Sequence, residues 1–178
     1  MMRSKTAIRS LAEGGVEPAD VLARVNNELC ESNDINMFVT VWMGIVDLRT
    51  GAMRCVNAGH EYPAIMRRGG SFETFRDKHR PPLGAMEDLV YEEYDMKFDP
   101  GDVLFVYTDG VPEAINVHEE QYDEERMLDA LNANKDASMQ ELLYAVKADQ
   151  DIFVGEEDQF DDITMLGLDT TDRRIQNR

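Results

Sequence analysis

Cysteine is scarce in this chain, with only Cys30 and Cys55 among 178 residues. Two thiols so far apart make neither a disulfide framework nor a cysteine metal site, so they read as free thiols of a reducing cytoplasm. Long apolar runs are missing as well. No stretch approaches the roughly 20 residues that span a bilayer. The opening "MMRSKTAIRS" has basic residues but no apolar core or small-residue cleavage site of a signal peptide. Basic residues are outnumbered, 18 against 36 acidic, for a formal net charge of −18. A field of that sign disfavours nucleic acid and direct membrane contact, and it attracts divalent cations or basic partners. The acidic runs "HEEQYDEER" (118–126) and "GEEDQFDD" (155–162) are expected to be solvated faces and loops rather than ligands. Repeats and low-complexity linkers are also lacking. One domain over 1–178 is therefore expected, with 170–178 as a disordered tail.

What is present is enough apolar residue, 43% of the chain, to fill one core. Residues 1–12 read as part of a helix with Met1, Ile8, Leu11 and Ala12 on one side, ended by Gly14-Gly15. A second helix starts at Pro18 and carries Val21, Leu22, Val25 and Leu29 at helical spacing up to about Cys30. The pattern then changes. "MFVTVWMGIVDL" is β-branched and aromatic and apolar on both faces, which predicts a strand lying between two layers. "AMRCVNAG", "YPAIMRR" and "SFETFR" follow as strands joined by short turns, which favours antiparallel pairing. After the Pro-rich loop "KHRPPLGAMED" come the strand "LVYEEYDMKF", the turn "DPGD" and the strand "VLFVY". Two helices then hold Met127, Leu128 and Leu131, and Leu142, Leu143 and Val146, the second announced by the capping box Ser138 to Glu141. The last element is the strand in "DDITMLGL". Strands in the middle, with helix pairs at the start and before the final strand, predict an α+β sandwich with antiparallel sheets between helical layers. Trp42 and the eleven methionines are expected in the core.

Chemistry concentrates at two strand ends. "VLFVYTDG" ends a buried strand on Asp109, and "DDITMLGL" opens another just after Asp161. A turn alone explains an Asp-Gly dipeptide. If the two strands are antiparallel neighbours, however, both carboxylates face one spot, where like charges repel unless a cation lies between them. Oxygen ligands alone suit Mg²⁺ or Mn²⁺ rather than Zn²⁺. Two such ions about 3.5–4 Å apart can activate a water and clamp a phosphoryl group for in-line attack. An aspartyl-nucleophile phosphohydrolase needs Asp-x-Asp at a strand end, and "YTDGV" offers one Asp.

The segments "FDPGDVLFVYTDGVPEA" and "QFDDITMLGL", with "NAGHEYPAI" (57–65) and "PPLGAMED" (81–88) in the same order, resemble the bacterial stage II sporulation protein E branch of the metal-dependent protein phosphatase 2C superfamily. The resemblance implies an α-β-β-α sandwich of two antiparallel sheets flanked by helices, and a two-metal Mn²⁺ or Mg²⁺ site. It implies hydrolysis of phosphoserine or phosphothreonine on a small regulatory protein of the kind that controls sigma factors. Carried onto this chain, Asp109 and Asp161 are metal ligands. Asp162 stands beside them in support, where relatives often have Asn, and Thr108 and Gly110 shape the turn. His60 is either a proton donor to the leaving alkoxide or an ordinary hairpin corner.

One departure stands against the match. The family carries, upstream of its first long helix, strands and an Asp-x-x-Gly segment whose Asp bridges both metals, and this chain starts at a segment resembling the inside of that helix. The expectation is a domain without its first strands, with an incomplete two-metal site and weak activity unless Asp162 or Asp158 replaces the absent ligand. Uncovered sheet edges predict a homodimer or higher association. The alternative is a non-catalytic regulatory or binding module that keeps the fold.

Overall fold

The computed structural model describes residues 2–31, 37–159 and 161–170. Its elements run α1 (Met2–Glu13), α2 (Pro18–Cys30), β1 (Val41–Val46), β2 (Ala52–Ala58), β3 (Ala64–Met66) and β4 (Phe72–Thr74). They continue as β5 (His79–Arg80), β6 (Tyr94–Lys97), β7 (Val103–Tyr107), α3 (Asp123–Ala133), α4 (Met139–Val154) and β8 (Met165–Asp169). This is the expected α+β class. The chain divides into two compact units, Met1–His60 with Asp77–Lys97, and Glu61–Arg76 with Phe98–Arg178.

In the first unit, β2 pairs antiparallel with β1 on one side and with β6 on the other, and β5 continues that second side in parallel over two residues. This parallel pair falls inside the segment read as a Pro-rich loop. A two-residue strand carries no periodicity by which sequence could reveal it. α1 and α2 lay their apolar stripe on the sheet. Val21, Leu22 and Val25 are buried against Val56, Ala58, Leu83 and Tyr91. Asn26 is fully buried on the same helix, donating to the Met86 carbonyl at 2.8 Å and accepting from the Gly84 amide at 2.9 Å. It thereby ties the "PPLGAMED" loop to α2, and these bonds offset the cost of removing the amide from water.

The strand read from "MFVTVWMGIVDL" corrects an expectation. β1 is half-buried rather than enclosed, Ile45 is exposed, and Met37 and Phe38 lie outside the strand at 59% and 62% exposure. Among the described residues β1 pairs only with β2, so one of its edges has no strand against it. Val41 and Met43 still pack on the α2 side, and Trp42 is half-buried with its indole N–H donating to the Tyr94 hydroxyl at 2.8 Å. Met37 and Met86 depart from the core placement expected for the methionines, whereas Met53, Met66, Met96 and Met127 follow it.

The second unit is a four-stranded antiparallel sheet in the order β4-β3-β7-β8, with α3 and α4 packed on it. Met127, Leu131, Leu142 and Val146 from the helices meet Ala64, Phe72, Phe105 and Tyr107 from the sheet. Ser138 forms the expected capping box, its amide donating to Glu141 Oε2 at 2.9 Å while its hydroxyl accepts from the Glu141 amide. The "DPGD" turn closes around Asp102, which is 3% exposed and accepts from Arg67 Nη1 at 2.7 Å, the Arg68 amide at 2.9 Å and the Asp99 amide at 3.0 Å. Thr170, assigned from sequence to a disordered tail, is instead buried. Its hydroxyl meets the carbonyls of Asp99 and Asp102, each at 2.7 Å. The rest of that tail, 171–178, and Met1 of the first helix lie outside the described residues.

Candidate active site

β7 runs between β3 and β8, and Val103, Leu104, Phe105 and Tyr107 are buried, as an apolar run flanked on both edges requires. Beyond Tyr107 the chain turns sharply. The Val111 amide donates to the Thr108 carbonyl at 2.9 Å, and the Gly110 amide donates to Asp109 Oδ1 at 3.0 Å. Asp109 therefore helps to close the turn that presents it, as Asp does when its side chain bonds nearby backbone.

β8 lies antiparallel to β7 with Tyr107 opposite Met165. The pairing extends one residue further, because the Thr108 amide donates to the Thr164 carbonyl at 3.0 Å. The exit of β7 and the entry to β8 thus share one edge of the sheet, with Asp109 half-buried on one side and Asp161 exposed on the other. The two mouths touch through backbone. The Thr108 hydroxyl donates to the Asp162 carbonyl at 3.0 Å and accepts from the Thr164 amide at 2.9 Å. Gly110 comes so close that a β-carbon there would stand 2.7 Å from the Asp162 carbonyl oxygen. A side chain at 110 is excluded by backbone, not by a flexible neighbour.

Asp161 turns back on its own loop, Oδ1 accepting from the Asp162 amide at 2.6 Å while its carbonyl accepts from Gln159 Nε2 at 2.7 Å. Asp162 meets the β7 turn through its main chain. A cavity of about 200 Å³ opens beside these residues, lined by Gly110, Glu113, Gln150, Asp158 and Asp161 among others. Its one lysine, Lys147, is ion-paired with Asp151. Two residues before Asp109, the buried Tyr107 hydroxyl has no hydrogen-bond partner among the described residues. Burial and the Glu124 and Glu61 carboxylates push its pKa up, which keeps the phenol neutral.

His60 is in the other unit, at the end of the "NAGH" corner. Its amide donates to Asn57 Oδ1 at 2.8 Å, Asn57 Nδ2 donates back to the His60 carbonyl at 3.0 Å, and His60 Nδ1 lies 3.2 Å from the Thr40 hydroxyl. Asn57 is fully buried and also donates to Asp77, which accepts from the Tyr94 hydroxyl at 2.7 Å. His79 reaches the same His60 carbonyl. Gly59 makes the corner at φ 71°, where a β-carbon would strike Pro82 at 2.9 Å.

The carboxylates at the shared mouth have the hard oxygen donors that Mn²⁺ and Mg²⁺ prefer. They fit as part of a ligand set. Among the described residues no group of three His, Cys, Asp or Glu side chains is arranged to hold a metal.

One contributor was not singled out from sequence. Gln150 on α4 is 2% exposed, and its Nε2 donates to the carbonyls of Gly110 and Val111, each at 2.9 Å. Polar residues on amphipathic helices usually face solvent, but Gln150 continues the Leu142 and Val146 stripe at four-residue steps, and that spacing was the available signal.

The fold built by these elements is that of PP2C-type phosphatase domains. The SiaA-PP2C domain of Pseudomonas aeruginosa superposes with a TM-score of 0.76 at 22% identity, covering 94% of this chain and 68% of that one. A structure of the PP2C phosphatase domain and a fragment of the regulatory domain of Bacillus subtilis SpoIIE gives 0.76 at 18% identity, covering 93% and 48%. In sequence, residues 1–171 match the stage II sporulation protein E (SpoIIE) family, and the chain belongs to it. Protein IcfG of Synechocystis is 34% identical over 143 residues, and the phosphoserine phosphatase RsbU of Bacillus subtilis is 29% identical over 115. The matches span 78% and 64% of this chain but only 22% and 34% of those two proteins. Neighbours of the same fold include a SpoIIE phosphatase domain presoaked with Mn and RsbX in complex with magnesium.

Proposed function

We propose that this domain hydrolyses phosphoserine or phosphothreonine on a small regulatory protein, of the kind that controls sigma factors, with Asp109 and Asp161 holding Mn²⁺ or Mg²⁺. The observation that carries the reading is the antiparallel β7–β8 pairing, which delivers both carboxylates to one sheet edge. Membership of the SpoIIE family and the likeness to RsbU support the substrate class. When bound, a divalent ion supplies positive charge against the phosphoryl oxygens and acidifies a water. Thr108 and Gly110 set the distance between the two mouths. Asp162 joins them through its carbonyl, and Asp109 and Asp161 supply the negative charge that retains the cation. The site lies in residues 1–178 acting as one domain, and the reading places it in the cytoplasm, where the free Cys30 and Cys55 persist as thiols.

Activity of this chain alone is expected to be low. Two carboxylates hold a reluctantly dehydrating ion weakly, and phosphate-monoester hydrolysis without firm positioning is very slow. The test is turnover of p-nitrophenyl phosphate and of a phosphoserine protein at millimolar Mn²⁺, with Asp109→Asn and Asp161→Asn alongside. A slow, Mn²⁺-dependent rate that either substitution abolishes supports the reading. Fast turnover abolished by either variant would mean that residues such as Asp158 or Asp162 complete the site. That no three His, Cys, Asp or Glu side chains converge among the described residues favours one rival, a regulatory module that binds phosphoprotein without hydrolysis. It predicts binding of the phosphoserine protein and no turnover at any Mn²⁺ concentration.

A further inference from the structure

The turn that presents Asp109 is held from two directions. From the sheet side Thr108 fastens it to the β8 mouth. From the helix side a single buried side chain holds it, since Gln150 Nε2 uses both of its hydrogens on the consecutive carbonyls of Gly110 and Val111. Those carbonyls are acceptors, so the amide nitrogen must face them, and this fixes the orientation of the side chain. α4 is firmly seated where this contact originates. Its first residue, Met139, packs directly on Gly167 of β8, Leu142 and Val146 are buried below, and the capping box closes its N-terminus. The helix therefore runs from the body of β8 to the turn after β7, with Gln150 near its far end.

We propose that Gln150 is a positioning residue for metal binding, holding the Asp109 turn at the height where its carboxylate and that of Asp161 engage one cation. The inference rests on the proposed metal-binding role of Asp109 and Asp161. Buried carbonyls without donors seek other partners, and a turn of four residues can satisfy them only by changing its own dihedrals. Removing the donors therefore moves Asp109, although Gln150 itself does not reach the ion. Shape alone can be kept without the hydrogen bonds, because methionine has nearly the same length and volume and lacks the amide group.

The test uses the full chain and Mn²⁺ as the probe, with free Mn²⁺ read from its paramagnetic resonance signal and melting temperature measured on the same samples. Gln150→Met is expected to weaken Mn²⁺ binding about tenfold, the scale seen when a partner supporting a metal ligand is lost. Gln150→Glu keeps the shape but sets a carboxylate against two carbonyls, and it is expected to bind at least as weakly. Gln140→Met, the same change at an exposed site on α4, should leave affinity unchanged. Val146→Ala, one turn earlier and fully buried, should lower the melting temperature without altering affinity. Unchanged affinity in Gln150→Met would overturn the inference. So would a loss shared by Val146→Ala in proportion to melting temperature, or failure of both Gln150 variants to fold, since each describes an ordinary core residue. Absence of Mn²⁺ binding by the unmodified chain would overturn the metal-site reading itself, and this inference with it.

Discussion

The hydroxyl of Thr108 donates to the carbonyl of Asp162 at 3.0 Å, joining the turn after β7 to the loop before β8. The same oxygen accepts from the Thr164 amide at 2.9 Å, so one side chain satisfies two backbone groups on the opposite mouth. A hydroxyl can do both because one oxygen carries a donor hydrogen and acceptor lone pairs.

Thr108→Val keeps the shape and removes both bonds. It is expected to destabilise the domain by about 1–2 kcal/mol, with part of the cost relieved by water at this partly exposed edge. Thr108→Ser should retain most of the stability. Urea denaturation of the three proteins checks this, and equal midpoints for Val and Thr would mean that the hydroxyl holds nothing.

Asp102 makes a pH prediction. Burial opposes its ionisation, but hydrogen bonds from the Asp99 amide, the Arg67 guanidinium and the Arg68 amide outweigh burial and hold its carboxyl below the ordinary carboxylate range. A depressed folded pKa contributes stability that is present above the unfolded value of about 3.9 and is lost as pH falls through the folded value. Melting temperature should therefore drop in the acid range below about pH 4. Asp102→Asn should be less stable at pH 7 by about 1.5–3 kcal/mol and show a shallower acid decline. A parallel acid decline in both proteins would remove Asp102 as a cause.

Association is the third expectation. β1 pairs only with β2 among the described residues, and the segments flanking it in sequence carry Phe38 at 62% exposure, Leu48 at 65% and Met37 at 59%. Unpaired strand edges flanked by apolar side chains pair with other chains. Light scattering at micromolar concentration should give at least a dimer mass, and Phe38→Ser should lower it. A monomer mass for the unmodified chain would count against the proposal.

Much of this arrangement was legible in the sequence because it follows from strong local signals. Pro18, the Ser138–Glu141 box and the stripes of Leu and Val mark helices whose chemistry is local, and the apolar run ending at Tyr107 marks a strand. The shared mouth of Asp109 and Asp161 followed from one assumption about pairing, which β7 and β8 meet. What stayed hidden depends on distant partners. β1 reads as enclosed because composition shows that a strand tolerates burial, not whether anything covers it. The pair β2–β5 is too short to show a period, and Gln150 looks like any polar helix residue until the carbonyls of Gly110 and Val111 appear beneath it.

The last prediction joins the site to stability. A ligand that binds the folded chain and not the unfolded one raises stability by RT ln(1 + [L]/Kd), about 2.7 kcal/mol at a hundred times Kd. Asp109 and Asp161 lie at one sheet edge through the β7–β8 pairing, so on the proposed reading the unfolded chain has no equivalent of their site. Mn²⁺ should therefore raise the melting temperature in a saturable way. A net charge of −18 complicates the reading, because divalent ions also relieve self-repulsion across the whole surface without a site. That background persists when one carboxylate becomes an amide. Asp109→Asn and Asp161→Asn should each remove the saturable part and keep the gradual part, whereas Asp136→Asn, an exposed residue outside the mouth, should keep both. If all three variants respond to Mn²⁺ as the parent does, the stabilisation is general screening and the two carboxylates do not form a metal site in this chain.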